Sequence, residues 1–508
     1  MSRISRSTLI IAVFFAVDKV LAFLRQTIIA RQFGLSPELD AFNAANNLPD
    51  MLYAMISGGA LAIALIPVLT ERLERDGRQS AWDLFSRMVN LVFIVTACLA
   101  VVIALLAGSL VRWELGIAPG FIDPQQELVA GLMRLNLIAT LIFSISGMVM
   151  AGLQANQHFL LPAAAHGLYN LGQIFGALVL APEKGYTLGP VTLPACGLGI
   201  HGLVYGVIIG SVLHFGIQVP GLLRFQFRWT PKINLRHPGV VQVLSLMGPR
   251  LLTMLFIQLI FIARDNLASR LEAGAVTALT YGWFIMQVPE TLIGTAIATA
   301  MLPSLAEYFV RGEKEVFRQT VNRALRAILA LTIPAAVLLA AGLRPLIQTL
   351  FNFGEQGTDL VVWATRAYLL GLMGHAVFEV VARSFYAQQN ARTPVITSAV
   401  RFAIYVLAAI LLFKPLGPVG IGLADTLAIT SEALLLLYLL NRGYPGVYRM
   451  GSTLIRIVIG SLLGGLLVVA FIRFLPFHPL IASLVGCAVG GLVVLPIIWP
   501  ELKGLVKL

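Results

Sequence analysis

Charge is scarce in this chain. Only 12% of its 508 residues are Asp, Glu, Lys or Arg, and 58% are hydrophobic, whereas a soluble domain carries roughly a quarter charged residues. Together with a mean hydropathy of +0.87, this excludes soluble domains of any size and makes lipid the main solvent. Cysteine is almost absent. Cys98, Cys196 and Cys487 lie far apart with no C-x-x-C pattern, so neither a disulfide framework nor a thiolate metal site is implied, and packing is their simplest use. No phosphate-cradling glycine loop, Cys/His cluster or nucleophile triad is present, which argues against an enzyme and implies no cofactor or metal. The formal net charge of +12 does not point to nucleic acid, because no basic run is interleaved with aromatics. Its positive residues fall between apolar runs instead.

What the chain does contain is a succession of apolar segments, each about 20 residues or more, enough to cross a hydrocarbon core roughly 30 Å thick. Arg3 and Arg6 precede the first segment as they would in a signal peptide. No small-residue cleavage site follows, and the run continues through Asp18, Lys19 and Arg25 to Phe33, which suits a first membrane helix. Gly, Pro and charge punctuation places about fourteen helices near 8–33, 40–69, 83–111, 126–153, 159–181, 196–221, 240–270, 276–306, 319–343, 361–388, 394–413, 418–440, 453–474 and 479–498. The expected fold class is an all-α polytopic membrane protein. Loops on the N-terminal side hold most of the arginines and lysines, including Arg72, Arg75, Arg78, Arg224, Arg228 and Arg449, so both termini are expected in the cytoplasm.

The chain also repeats itself at a spacing of about 235 residues, far beyond a solenoid repeat and typical of transporters built from two halves. Leu65-Ile66-Pro67-Val68-Leu69-Thr70-Glu71 returns as Met301-Leu302-Pro303-Ser304-Leu305-Ala306-Glu307, each followed by a basic loop. Arg25 and Arg31 return as Arg264 and Arg270, and the loop from Gln154 to Pro162 is echoed from Gln388 to Pro394. Six spans separate the copies, so the halves are parallel repeats. The expected division is an N-lobe at 1–225, a C-lobe at 238–442 and an appended pair of helices at 450–500, with the two six-helix lobes facing a central cavity.

Ionisable groups inside a membrane are costly and face a bundle interior by default. Asp40, Asn43, Asn47 and Asp50 fall at helical spacing in the second helix, with Asn46 beside them. Such a stripe lines either a water-filled cavity or an interhelical hydrogen-bond seam, and Pro49, Gly58 and Gly59 offer a place to bend. The first helix sets Asp18 and Arg25 on one face and Lys19 and Gln26 on a neighbouring one; the seventh carries Arg250, Gln258, Arg264 and Asp265. Lys19, Arg25, Arg250 and Arg264 are the candidate anion-binding cations, since a guanidinium presents a planar fork of donors to phosphate. His375, Glu379 and Arg383 follow at four-residue steps in helix 10, where Glu379 and Arg383 have the order of an ion pair. His375, Glu379 and, in helix 12, Asp425 are the candidates for ion coupling, with Glu432 seven residues beyond Asp425.

Short motifs in a fixed order carry a resemblance. Leu24-Arg25, Ile29-Ala30-Arg31-Gln32-Phe33-Gly34, Asp40-Ala41-Phe42, Leu48-Pro49, Ile66-Pro67, Ala118-Pro119-Gly120-Phe121, Met247-Gly248-Pro249, Leu302-Pro303-Ser304-Leu305, Phe353-Gly354, Phe385-Tyr386 and Thr393-Pro394-Val395 make the chain resemble the MurJ/MviN lipid II flippases. That family belongs to the wider superfamily of polysaccharide-lipid flippases and multidrug extruders. The resemblance implies flipping of a polyprenyl-diphosphate-linked glycan, lipid II foremost, across the bacterial inner membrane by alternating access. It implies a monomer working near cell-wall synthesis enzymes, a lipid-tail groove at helices 13 and 14, and no cofactor beyond coupling to membrane potential, H+ or Na+. Arg25 and Asp40 match functional family positions, and Lys19 stands where arginine is usual. The chain departs from the family pattern at Tyr53 and Phe284, where arginines are expected, at Gln26, where an acid is common, and at Glu379, where a lysine can occur. Another polyprenyl-linked glycan, or a multidrug substrate, is the alternative cargo. A membrane glycosyltransferase would need an acidic or nucleophilic loop at the surface, which the basic loops at 222–239 and 308–318 do not supply.

Overall fold

A computed structural model describes residues 3–58, 60–188 and 191–505. The chain divides into two compact units, Met1–Asn266 and Leu267–Leu508. The first contains α1 (Arg3–Phe33), α2 (Pro37–Ala45), α3 (Asn47–Leu52), α4 (Ala60–Arg75), α5 (Gly77–Arg112), α6 (Asp123–Ala155), α7 (Leu160–Phe175), α8 (Ile200–Gly216), α9 (Val219–Arg224) and nearly all of α10 (Pro238–Ala268). The second contains α11 (Ala275–Pro289), α12 (Ala296–Val310), α13 (Lys314–Phe351), α14 (Gly354–Ala387), α15 (Arg392–Gly443), α16 (Thr453–Phe474) and α17 (Pro479–Leu505). A two-residue hairpin, Thr187–Leu188 against Val191–Thr192, is the one β pairing among the described residues.

Helix dominates because a chain in lipid must satisfy its own backbone donors and acceptors. Ten helices among the described residues are long and apolar enough to cross a membrane, which makes this a multi-pass membrane protein. The segments expected at 8–33, 40–69 and 159–181 are helical too, the first carrying Asp18, Lys19, Arg25 and Arg31 and the other two divided by π-helical turns at Tyr53–Gly58 and Gly176–Leu180. Gly59, expected to help the second segment bend, lies outside the described residues. The helices expected at 394–413 and 418–440 run together as α15, broken at Gly417 with φ 57° and ψ −139°. Only glycine occupies that conformation without strain.

The two units share backbone devices at corresponding places. Left-handed residues Gly34 and Gly274, Gly77 and Gly312, and Gln157 and Gln389 close equivalent turns. π-helical turns at Tyr53–Gly58 and Glu290–Thr295 precede α4 and α12. Asn90 of α5 donates to the carbonyls of Thr230 and Lys232 at 2.7 and 3.0 Å, and Asn322 of α13 donates to those of Val447 and Arg449 at 2.8 and 3.1 Å. In each unit a helix amide thus clamps the loop that follows the unit's sixth expected span. The repeat is written in the backbone as well as in the motifs.

Close packing uses small residues, since lipid supplies no hydrophobic drive between helices. α7 and its π turn meet α8 through Gly172 and Gly176 against Gly206 and Gly210, where a Cβ on Gly206 would stand 2.8 Å from the Cα of Gly176. α14 meets the second arm of α15 in the same way, a Cβ on Gly371 standing 3.1 Å from the Cα of Thr426. α16 and α17 pack on each other and on α13. Backbone blocks the space at Gly206, so Gly206→Ala is expected to cost about 1–3 kcal/mol in thermal unfolding of the detergent-solubilised protein. Gly131→Ala, in open space, should leave the melting temperature unchanged or raised.

Candidate functional site

In the first unit the polar groups of α1 are organised by one amide. Asp18 and Arg25 are seven residues apart, two helical turns, and so share a face. α7 packs against that face and presents Asn170. Arg25 Nη1 donates to Asn170 Oδ1 at 2.9 Å, and Asn170 Nδ2 donates to Asp18 Oδ1 at 2.8 Å. Asp18 and Asn170 are buried and Arg25 half-buried. An amide suits this place because it offers an acceptor to the cation and a donor to the anion at once. Lys19 is exposed, its ammonium 3.8 Å from the Asp18 carboxylate.

The stripe expected on one helix divides in two. Ser36 caps α2 by accepting from the Leu39 amide, but the helix stops at Ala45 because Pro49 has no N–H to return to the Ala45 carbonyl. Asn46 and Asn47, at the break, then serve a seam. Asn136 Nδ2 donates to Asn46 Oδ1 at 2.6 Å, and Asn47 Nδ2 donates to Asp265 Oδ2 at 2.6 Å. Asp265 is fully buried and also accepts from Arg264 Nε at 2.7 Å. Arg264, expected to offer its charge to an anion, is therefore buried against a carboxylate and over the Phe261 ring. Asp40 is buried and Asn43 half-buried; Arg250 is exposed.

Asp50, past the break, is exposed and lies within electrostatic reach of Arg25 and of Tyr53 and Tyr169. The ring of Tyr53 packs on Phe143 at 5.2 Å, and Phe143 packs on Tyr169 at 5.1 Å. At Tyr53, where the resemblance leads one to expect an arginine, the chain sets an aromatic ladder near Arg25 and Asp50. Behind it Gln218 Nε2 donates to Ser146 Oγ at 2.9 Å, and Ser146 meets His214 Nδ1 at 2.6 Å, a buried chain that no spacing announced.

In the second unit the helical triplet on α14 separates. Glu379 pairs with Arg383, the ion pair that their four-residue spacing favours, and Arg383 also donates to Thr299 Oγ1. His375 faces α15, its Nε2 3.1 Å from Asp425 Oδ2, with the Trp283 ring edge-on at 5.3 Å. Two candidates fifty residues apart are thereby brought together. Arg401, not singled out from the sequence, completes the group: its Nη2 donates to Asp425 Oδ1 at 3.1 Å, and its Nη1 lies 3.7 Å from Glu432 Oε2. An arginine in mid-span was the available signal, since such a charge requires a partner. Among the described residues no group of three or more His, Cys, Asp or Glu side chains is arranged to hold a metal ion.

Paired repeats of membrane-crossing helices with neutralised charges in their interiors define a polytopic protein of the transporter class. The chain belongs to the lipid II flippase MurJ family, whose model matches residues 29–484. The lipid II flippase MurJ of Burkholderia cenocepacia is 31% identical over 476 residues, covering 92% of this chain and 88% of its own. The probable lipid II flippase MurJ of Rhizobium tropici is 29% identical over 470 residues, covering 90% and 85%. Among solved structures, a lipid II flippase MurJ in an inward closed conformation superposes with a TM-score of 0.79 at 21% identity, covering 96% of this chain and 98% of that one. An inward-facing multidrug transporter of the MATE family superposes at 0.69 with 16% identity, covering 87% and 99%. These last two likenesses concern the fold.

Because Asn170 serves both Asp18 and Arg25, Asn170→Leu leaves a buried carboxylate without its donor and a guanidinium without its acceptor. The expected loss is about 1.5–3 kcal/mol, read as a lowered midpoint in denaturant unfolding of the purified protein in micelles.

Proposed function

We propose that this chain flips a polyprenyl-diphosphate-linked cell-wall precursor, lipid II in the first place, from the cytoplasmic to the periplasmic leaflet of the bacterial inner membrane by alternating access. The observation that carries this reading is the family match, which extends over nearly the whole chain rather than over one motif. Charge logic supports it. A diphosphate entering a low-dielectric environment needs a cation held ready, and Arg25, half-buried and oriented by Asn170, is such a cation. Lys19, with its exposed ammonium, is a second. Arg264 is spent on Asp265 and contributes to holding α10 rather than to the anion. The excess of arginine in loops on the N-terminal side supports cytoplasmic termini.

The Tyr53 ladder is the part of this reading that bears on the head group. Aromatic faces pack against sugar rings through their apolar sides, whereas an arginine in that place would favour phosphate. Arg25→Ala is expected to abolish flipping while the protein still folds and inserts. The check is growth of a host depleted of its own lipid II flippase, with a protection assay for periplasmic lipid II. Normal complementation by the variant would remove Arg25 from the mechanism. Failure of the well-inserted wild type in the protection assay would move the cargo to another polyprenyl-linked glycan.

A further inference from the structure

Four ionisable side chains of the second unit are withdrawn from solvent together: His375, Arg401, Asp425 and Glu432 are 8%, 6%, 3% and 1% exposed. Two are carboxylates and one is a guanidinium that keeps its charge. Asp425 is fully served, since Arg401 Nη2 and His375 Nε2 each meet one of its oxygens at 3.1 Å. Glu432 is not. Its Oε1 accepts from the hydroxyls of Thr397 and Ser398 at 3.1 and 3.0 Å, while Oε2 is buried, has no hydrogen-bond partner and lies 3.7 Å from Arg401 Nη1. With a neutral imidazole and both carboxyls ionised, the group would hold one uncompensated negative charge where such a charge costs several kcal/mol.

Among the described residues no other charged side chain is hydrogen-bonded or ion-paired to this group. α14 contributes His375, its Glu379 and Arg383 being engaged with each other. The arm of α15 before Gly417 contributes Arg401, and the arm after it contributes Asp425 and Glu432. α11 presents the uncharged Trp283 ring, with the phenol Tyr368 on that ring and the phenol Tyr405 buried on α15. A proton is the compensating charge for which the geometry offers a place, on the buried Glu432 Oε2 that has no hydrogen-bond partner.

We infer that this cluster is a proton-binding site and that Glu432 takes and releases the proton. The arrangement is that of the loaded form: Arg401 is hydrogen-bonded to Asp425 and stands beyond hydrogen-bond distance from Glu432. Unloading passes the proton from Oε2 to water and leaves a second carboxylate, on which the guanidinium closes. His375, Arg401 and the Asp425–Glu432 pair sit on three adjoining helical segments, so loading alters the cross-links among them. That is a physical route from proton binding to a change in helix packing. The site stands on its own geometry; its consequence for transport rests on the flippase reading.

The test uses the full-length protein in lipid nanodiscs without any lipid-linked substrate. Infrared difference spectra between about pH 8 and about pH 5 should contain a protonated-carboxyl band that Glu432→Gln removes, and proton uptake over that range should fall by about one per molecule in the variant. Asp425→Asn removes one negative charge from the cluster, so it should lower the midpoint of the Glu432 band by about one pH unit or more. A band unaffected by Glu432→Gln, a carboxyl ionised throughout the range, or an unmoved midpoint in Asp425→Asn would overturn the site. In proteoliposomes, stimulation of flipping by a pH gradient should be lost in Glu432→Gln. Stimulation that survives there would overturn the role in transport and leave the flippase reading untouched.

Discussion

A bilayer offers no water to a buried charge, and the interior of this protein is arranged around that lack. Several ionisable side chains within the described spans meet a partner, some from another helix and some from their own, while Lys19 and Asp50 reach exposed positions. The partners differ in kind: an amide bridging a carboxylate and a guanidinium at Asn170, an adjacent carboxylate at Asp265, a histidine and an arginine around Asp425. Charge compensation therefore ties distant segments together. Breaking one partner leaves the other stranded in a low-dielectric medium, which is why such pairs specify packing as much as they stabilise it.

The same constraint shapes the backbone. Irregular main chain at membrane depth survives only where its freed groups are satisfied within the protein, and this chain places several of its irregularities at corresponding points of two units. The π turns before α4 and α12 and the glycine-only break in α15 interrupt helices that would otherwise be rigid rods. Glycine contacts between α7 and α8 and between α14 and α15 bring backbones close enough for dispersion and hydrogen bonding to replace the missing hydrophobic drive. Rigid pairs joined through irregular turns are a construction suited to movement between two states.

Much of this was legible in the sequence. The shortage of charge and the length of the apolar runs mark the protein as polytopic, and the motifs around Pro67 and Pro303 expose the repeat. The loop echo between Gln154 and Gln388 was visible as composition, and the structure adds that Gln157 and Gln389 adopt the same left-handed turn. The spacing of the polar stripe predicts one helical face, yet it splits at Asn46 because a proline three residues on withdraws the hydrogen bond that would have carried the helix through. Periodicity counts residues; it does not count missing donors. Arg401 stands inside an apolar run with no charged neighbour in sequence, and its burial with Asp425 and Glu432 appears only in the packing of the second unit.

Composition and spacing by themselves determined the solvent, the helical class, the duplication and the family, because those depend on properties that accumulate along the chain. Which charges neutralise one another was decided only in three dimensions. His375 and Asp425 are fifty residues apart and Asn47 and Asp265 more than two hundred, and no local rule joins them. Electrostatic compensation acts through space between helices, so the sequence states which charges must find partners while only the packing states which partners they find.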